Sequence, residues 1–344
     1  MDSFSATAAR MPALRADIAA HPARHRILTG ERPTGRLHLG HLLGTILERV
    51  RLQQEGVETF VVVADYQVIT DRDSMGDIGA NVHGVIRDNL AAGLDPERTT
   101  IFTHSAVPEL NQLILPFLSL VSEAELHRNP TVKAEAAAAG RALSGLLLTY
   151  PVHQAADILF CKGTLVPVGK DNLPHVEVAR QIARRFNERY GVVFPEPEGL
   201  ITAAPELPGL DGRKMSKSYG NAISLGMTAD ETAAVIRRAR TDSERQITYD
   251  PERRPGVSAL LDTAAVCLGA SPVEIAEEVG DGGSGALKSL AADAVNDFLA
   301  PHRERRAEID SAMVSDVLRA GNERARQVAA TTLDEVRSAM GMAY

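Results

Sequence analysis

Arg26-Ile27-Leu28-Thr29-Gly30, and a few residues on Pro33-Thr34-Gly35-Arg36-Leu37-His38-Leu39-Gly40-His41, decide the fold. The first run is short and apolar and stops at Gly30, as a strand would. From Leu39 to Val50 apolar residues fall at 39, 42, 43, 46, 47 and 50, the spacing of an amphipathic helix. The stretch between is therefore a strand–turn–helix joint. Phe60-Val61-Val62-Val63-Ala64 is a continuous β-branched run ending at Asp65, which suits a strand buried on both faces of a parallel sheet. A helical pattern near 76–93 and a strand at Thr100-Ile101-Phe102 follow. Strand and helix alternating at this spacing predict a doubly wound α/β sheet.

Outward from this core, residues 108–150 are helical in composition and read as an insert between two halves of the sheet. Thr164-Leu165-Val166-Pro167-Val168 resumes a strand that stops at Gly169. Pro174 opens a helix with an apolar stripe at 179, 182, 183, 186 and 190, closed by Gly191. The Pro- and Gly-rich run 195–221 predicts a long exposed loop. From Thr228 the pattern is helical to the end, opened by the capping box Thr228-Ala-Asp-Glu231. Residues 1–25 form an Ala/Arg-rich extension, one helix without evident chemistry.

The chain has 344 residues, enough for two or three domains with a large core. Its 44% hydrophobic and 24% charged residues exclude collagen, mucin and bulk disorder. No apolar run reaches the roughly 18 residues of a membrane span, and the N-terminus lacks a secretory apolar stretch. Only two cysteines, Cys161 and Cys267, stand far apart, which fits a reducing cytoplasm and excludes a Cys-rich metal site. The net charge is −8, so a nucleic-acid partner must be held by local basic patches.

Two motifs carry chemistry. A strand–turn–helix joint aims backbone N–H groups and the positive end of a helix at one point, where a phosphate is the natural ligand. At 33–41, Gly40 removes a side chain, so a flat base can pack on the backbone, and His38 and His41 supply donors for phosphate oxygens. A metal pair is the weaker reading of these histidines, because no acidic third ligand stands near them in sequence. The second motif is Gly212-Arg213-Lys214-Met215-Ser216-Lys217-Ser218. Of 37 basic residues only six are lysine, yet two of the six fall within these few positions. Lysine is a compact charge on a flexible stem, suited to following charge onto a leaving group.

His38-Leu39-Gly40-His41 resembles the "HIGH" signature of class I aminoacyl-tRNA synthetases, and Lys214 to Ser218 is the "KMSKS" signature without a mismatch. Tyr150-Pro151-Val152-His153-Gln154-Ala155-Ala156-Asp157-Ile158-Leu159, Val166 to Asn172 leading into Arg185-Phe186-Asn187, Thr241 to Glu244 and Arg254 to Ser258 narrow the resemblance to tryptophanyl-tRNA synthetases, over about residues 26–344. The resemblance implies a Rossmann catalytic domain (26–205) with the insert, a KMSKS loop (206–225) and a helical anticodon-binding domain (226–344), as a cytoplasmic homodimer. It implies ATP with Mg²⁺, L-tryptophan and tRNA(Trp) as ligands, and no protein-ligated metal. Lys214 and Lys217 would neutralise the departing pyrophosphate. Arg32, Pro33, Thr34, His38, Gly40, His41, Gly169, Lys170, Asp171, Met215, Ser216 and Ser218 would hold ATP. Asp157 would accept the indole N–H, with Tyr150 near the ligand's amino group, Leu28 and Val168 as apolar walls, and Gln67, Gln154 and Asn172 completing the pocket.

This sequence departs from the family pattern mainly in that pocket. Gln67 stands where many bacterial members carry histidine, Gln154 where many carry methionine, and Lys170 and Asn172 replace a common acid and glutamine. These changes suggest a variant pocket, of an auxiliary type that tolerates the tryptophan mimic indolmycin. Arg180, Arg184, Arg185 and Arg189 on one helix, and Arg237, Arg238, Arg240, Arg245, Arg253 and Arg254, are candidates for tRNA phosphates or solvated ion-paired faces. Rival readings are a tyrosyl sibling, a coenzyme-forming nucleotidyltransferase and a non-catalytic amino-acid sensor.

Overall fold

The computed structural model describes residues 3–69, 76–139, 143–169, 172–202, 207–215 and 219–344. Five parallel strands form one sheet in the order β3-β2-β1-β4-β5: β1 Arg26–Glu31, β2 Glu58–Val63, β3 Thr99–Thr103, β4 Leu165–Val168 and β5 Glu198–Ile201. Chain direction across the sheet reverses between β1 and β4. Ligands of open α/β sheets bind outside the carboxyl ends of the strands at such a switch point. The doubly wound Rossmann-type fold expected from the alternation is the fold observed.

Three expectations need correction. Gly30 does not stop β1, which runs through it to Glu31, with Gly30 paired to Val62. A Cβ at Gly30 would sit 2.2 Å from the Val62 carbonyl oxygen, so the glycine permits a close approach of two backbones. The run 195–221 is not an exposed loop throughout. It contains β5, which pairs with β4, and its Leu200, Leu207, Leu210 and Met215 are buried. In the C-terminal part helices form as expected from Ala229, with Thr228 and Glu231 capping each other reciprocally. Residues 239–254, however, are irregular and are tied together by the buried Arg254, which bonds Asp242, Gln246 and Thr248.

Both sheet edges are covered. The Ser311–Ala339 helix lies against β3, where Asn322 Oδ1 accepts from Thr103 N at 3.0 Å and Arg324 Nη2 donates to the Thr99 carbonyl at 2.9 Å. The Ser3–Ala20 helix covers β5, with Arg15 Nη2 donating to the Ile201 carbonyl at 3.0 Å. Side chains thus satisfy edge groups that would otherwise template pairing with another chain. One apolar core runs from the sheet (Val61, Val63, Ile101) into the C-terminal helices (Leu260, Leu287, Leu299). A second lies under the insert helices and contains Leu28, Phe102, Phe160 and Val168.

Candidate active site

The first motif follows β1 directly. Its helix runs over residues 39–54, with a wider π turn at Leu42–Ile46. His38 caps it, and the His38 backbone N–H donates to His41 Nδ1 at 3.2 Å while the two rings lie 3.8 Å apart. Backbone bonds clamp this turn onto the chain just past the second motif: Leu39 N donates to Ile223 O at 2.9 Å and Leu225 N to Leu37 O at 3.0 Å. A Cβ on Gly40 would lie 3.1 Å from His38 Nδ1 and 3.5 Å from Met215 Sδ. The missing side chain therefore leaves open a spot bordered by both motifs. On the far side Asn221 fastens the base of the second loop. Its Nδ2 donates to Lys214 O at 3.1 Å and to Asp211 Oδ1 at 2.7 Å. Lys214 is exposed and Met215 buried. Ser216, Lys217 and Ser218, like Lys170 and Asp171, lie outside the described residues.

Pro33 is buried and Thr34 half-buried in the turn beside Gly35, while Arg32 is exposed. Gly169 sits half-buried at the carboxyl end of β4, where its carbonyl accepts from Asn172 N at 3.2 Å. The first motif, Met215 of the second and Gly169 are thus gathered at the carboxyl ends of β1 and β4.

Three of the residues expected in the amino-acid pocket stand on the Gly145–Phe160 helix. Tyr150, Gln154 and Asp157 follow at intervals of four and three residues and share one helix face. Tyr150 and Asp157 are buried, Gln154 half-buried, and Leu28 within β1 and Val168 at the end of β4 are buried. Asn172 caps the Leu173–Tyr190 helix and is exposed, unlike Tyr150 and Asp157. The Tyr150 hydroxyl and His175 Nε2 are 3.3 Å apart.

Sequence reasoning missed a buried polar network here. Gln67 Nε2 donates to His153 Nδ1 at 2.9 Å. With the amides so oriented, His153 carries its proton on Nε2, which donates to Asn111 Oδ1 at 3.0 Å. Asn111 Nδ2 in turn donates to the His104 carbonyl at 3.2 Å. The His104 ring packs against that of His153, 4.4 Å between centroids and tilted by 36°, and its Nε2 lies 2.9 Å from Asp157 Oδ1. Burial pulls the His104 pKa down, and the Asp157 and Asp65 carboxylates more than offset it, leaving it above its ordinary 6.5. Burial dominates for His153 and holds it below 6.5. One histidine is thus biased to the charged form and its neighbour to the neutral form.

His104, His153 and Asp157 place donor atoms within 4.8 Å of one another, a spacing that could hold a cation. Both His153 nitrogens already have partners in Gln67 and Asn111, so the geometry fits a hydrogen-bond network better than a ligand set. The signal available in sequence was position: His104 follows the last residue of β3, at a carboxyl end of the sheet.

The family model "tRNA synthetases class I (W and Y)" matches residues 21–300. The chain belongs to this family. A tryptophan–tRNA ligase of Lactococcus lactis is 44% identical over 334 residues, covering 92% of this chain and 98% of that one. One from Thermotoga maritima is 41% identical over 335 residues, covering 93% and 100%. Among solved structures, the tryptophanyl-tRNA synthetase of Campylobacter jejuni complexed with ADP and tryptophan aligns with a TM-score of 0.81 at 29% identity, over 92% of this chain and 99% of that one.

Within this class I synthetase the arginine-rich helix is largely engaged internally. Arg184 Nη2 meets Glu196 at 2.6 Å, and Arg185 Nη2 meets Glu125 at 2.5 Å. Arg245 donates to the Asp281 carbonyl, and Arg254 is buried. Arg237, Arg238, Arg240 and Arg253 are exposed. Arg238 and Arg240 line a cleft of about 680 Å³ with Asp211, Arg213, Tyr219 and Asn221, beside the second motif.

Proposed function

We infer that the chain is a tryptophan–tRNA ligase. It activates L-tryptophan with ATP and charges tRNA(Trp). The observation that carries this reading is 44% identity along 98% of a tryptophan–tRNA ligase. The junction of the two phosphate motifs at Gly40 supplies the matching chemistry. In the first step a tryptophan carboxylate oxygen attacks the ATP α-phosphorus, the α–β bridging bond breaks, and pyrophosphate leaves. In the second, the terminal ribose hydroxyl of the tRNA attacks the adenylate's carbonyl carbon, loses its proton and displaces AMP. Neither step uses a covalent protein intermediate, so the protein's task is positioning and charge stabilisation.

For the residues we propose the following roles. ATP enters as its magnesium complex, the metal carried on the substrate phosphates. His38, His41, Thr34 and the turn Arg32–Pro33 hold phosphates, and Gly40 seats the adenine beside Met215. Gly169 and Asp171 hold the ribose, flanked by Lys170. Lys214 and Lys217, with Ser216 and Ser218, take up the charge that builds on pyrophosphate. Asp157 accepts the indole N–H, which a phenylalanine side chain cannot supply; leaving a buried acceptor without its partner penalises the wrong ligand. Tyr150, Gln67, Gln154, Leu28, Val168 and Asn172 complete the pocket. The bond from Gln67 to His153 supports a pocket rebuilt around glutamine, and we propose reduced sensitivity to indolmycin as its consequence. We further propose a cytoplasmic homodimer.

Charging of tRNA(Trp) with labelled tryptophan tests the reading. The expected product is tryptophanyl-tRNA(Trp). Charging of tRNA(Tyr) with tyrosine, or of no tRNA, would overturn it.

A further inference from the structure

We propose that His104 is a positioning residue of the tryptophan pocket: it holds the Asp157 carboxylate in place, and so sets how strongly the pocket favours a ligand bearing an indole N–H. This rests on the reading of Asp157 as the indole acceptor, and adds a residue to which neither motif nor resemblance gave a role.

A carboxylate buried among apolar residues needs a compensating partner. Asp157 is buried, on a helix whose Val152, Ala155, Ala156 and Ile158 all belong to the apolar core. Among the described residues the only basic group within ion-pair distance of Asp157 is His104, at 2.9 Å and fully buried. The groups facing His104 favour its charged form: Asp157 across the ring, and Asp65 at the end of β2. Asp65 is itself fixed by Ser105, whose backbone N–H donates to it at 3.1 Å.

The ring of His104 packs against that of His153, and its backbone carbonyl accepts from Asn111. Both of those side chains are locked to each other, and His153 is locked to Gln67. The unusual Gln67 therefore reaches Asp157 through His153 and His104. The Nε2–Oδ1 contact is close but is not aligned as a hydrogen bond, and His104 Nδ1 has no partner among the described residues.

The test is ATP–pyrophosphate exchange by the full chain with two amino acids, tryptophan and β-(benzothiophen-3-yl)alanine, which has sulfur in place of the indole N–H. The variants are His104→Leu, His104→Gln and Asp157→Ala. His104→Leu is expected to raise KM for tryptophan on the order of tenfold or more, and to leave KM for the sulfur analogue and for ATP within about twofold. His104→Gln, whose amide still donates to a carboxylate, should recover part of the tryptophan preference.

An equal loss for both amino acids, or no loss for either, would overturn the proposal. Should His104→Leu not fold, His104→Gln decides on the same ratio: a drop of about threefold or more in tryptophan preference supports the proposal, and an unchanged ratio refutes it. Asp157→Ala separates the layers. If it leaves the preference intact, the reading of Asp157 is wrong. If it abolishes the preference while the His104 variants do not shift it, only the role of His104 fails.

Discussion

Around His38 the site is assembled from two short stretches joined by main-chain bonds, Leu39 to Ile223 and Leu37 to Leu225. Around Asp157 it is assembled from side chains on residues 65–67, 104–111, 150–157 and 175, bonded to one another. The first construction depends on backbone direction and on one missing side chain, so it is written in contiguous motifs. The second depends on mutual fit between side chains, as the bond from Gln67 to His153 illustrates. The ATP chemistry is the same whichever amino acid such an enzyme activates. Amino-acid choice is where its pocket is free to vary.

The comparison predicts separable effects. Lys214→Ala should lower kcat for pyrophosphate exchange on the order of a hundredfold or more, the scale of losing one group that stabilises transition-state charge, with KM for tryptophan little changed. Equal losses in both parameters would break the separation. Asp157→Ala should lower kcat/KM for tryptophan by about ten- to a hundredfold, the cost of one unmade buried hydrogen bond, and leave KM for ATP in place.

Gly40→Ala is a milder probe of the phosphate side. The added methyl would meet the His38 ring at 3.1 Å, so KM for ATP should rise by about three- to tenfold while tryptophan preference holds.

The smallest expected effect is on pH dependence. His104 titrates above 6.5 and His153 below it, so two histidine resonances of the pocket should separate on either side of that value in an NMR titration. A group with a raised folded pKa contributes stability that is present below its unfolded value of 6.5 and is lost as pH rises through the folded value. His104→Gln should therefore flatten the fall in thermal midpoint on the alkaline side. His153 acts with the opposite sign, contributing above 6.5 and losing that contribution as pH falls through its folded value. Coincident titration of the two would contradict the assignment of one charged and one neutral ring.

How much of this was legible in sequence follows the same division. The central strands, the 39–54 helix and the Thr228 cap were readable because each is specified by a local pattern. Gly30 was misread because a glycine that ends a strand and one that lets two strands approach look alike until Val62 is placed beside it. β5 escaped because Glu-Gly-Leu-Ile holds only two apolar residues, and its pairing with β4 is a long-range fact. His104, Asn111 and His175 carry no motif at all. Only the fold brings them to the helix that bears Asp157.

The most direct test of the account is amino-acid-dependent ATP–pyrophosphate exchange by the wild-type chain with tryptophan, tyrosine and phenylalanine in parallel. The account predicts exchange with tryptophan alone. Exchange driven by tyrosine or phenylalanine, or none with any of the three, would contradict it.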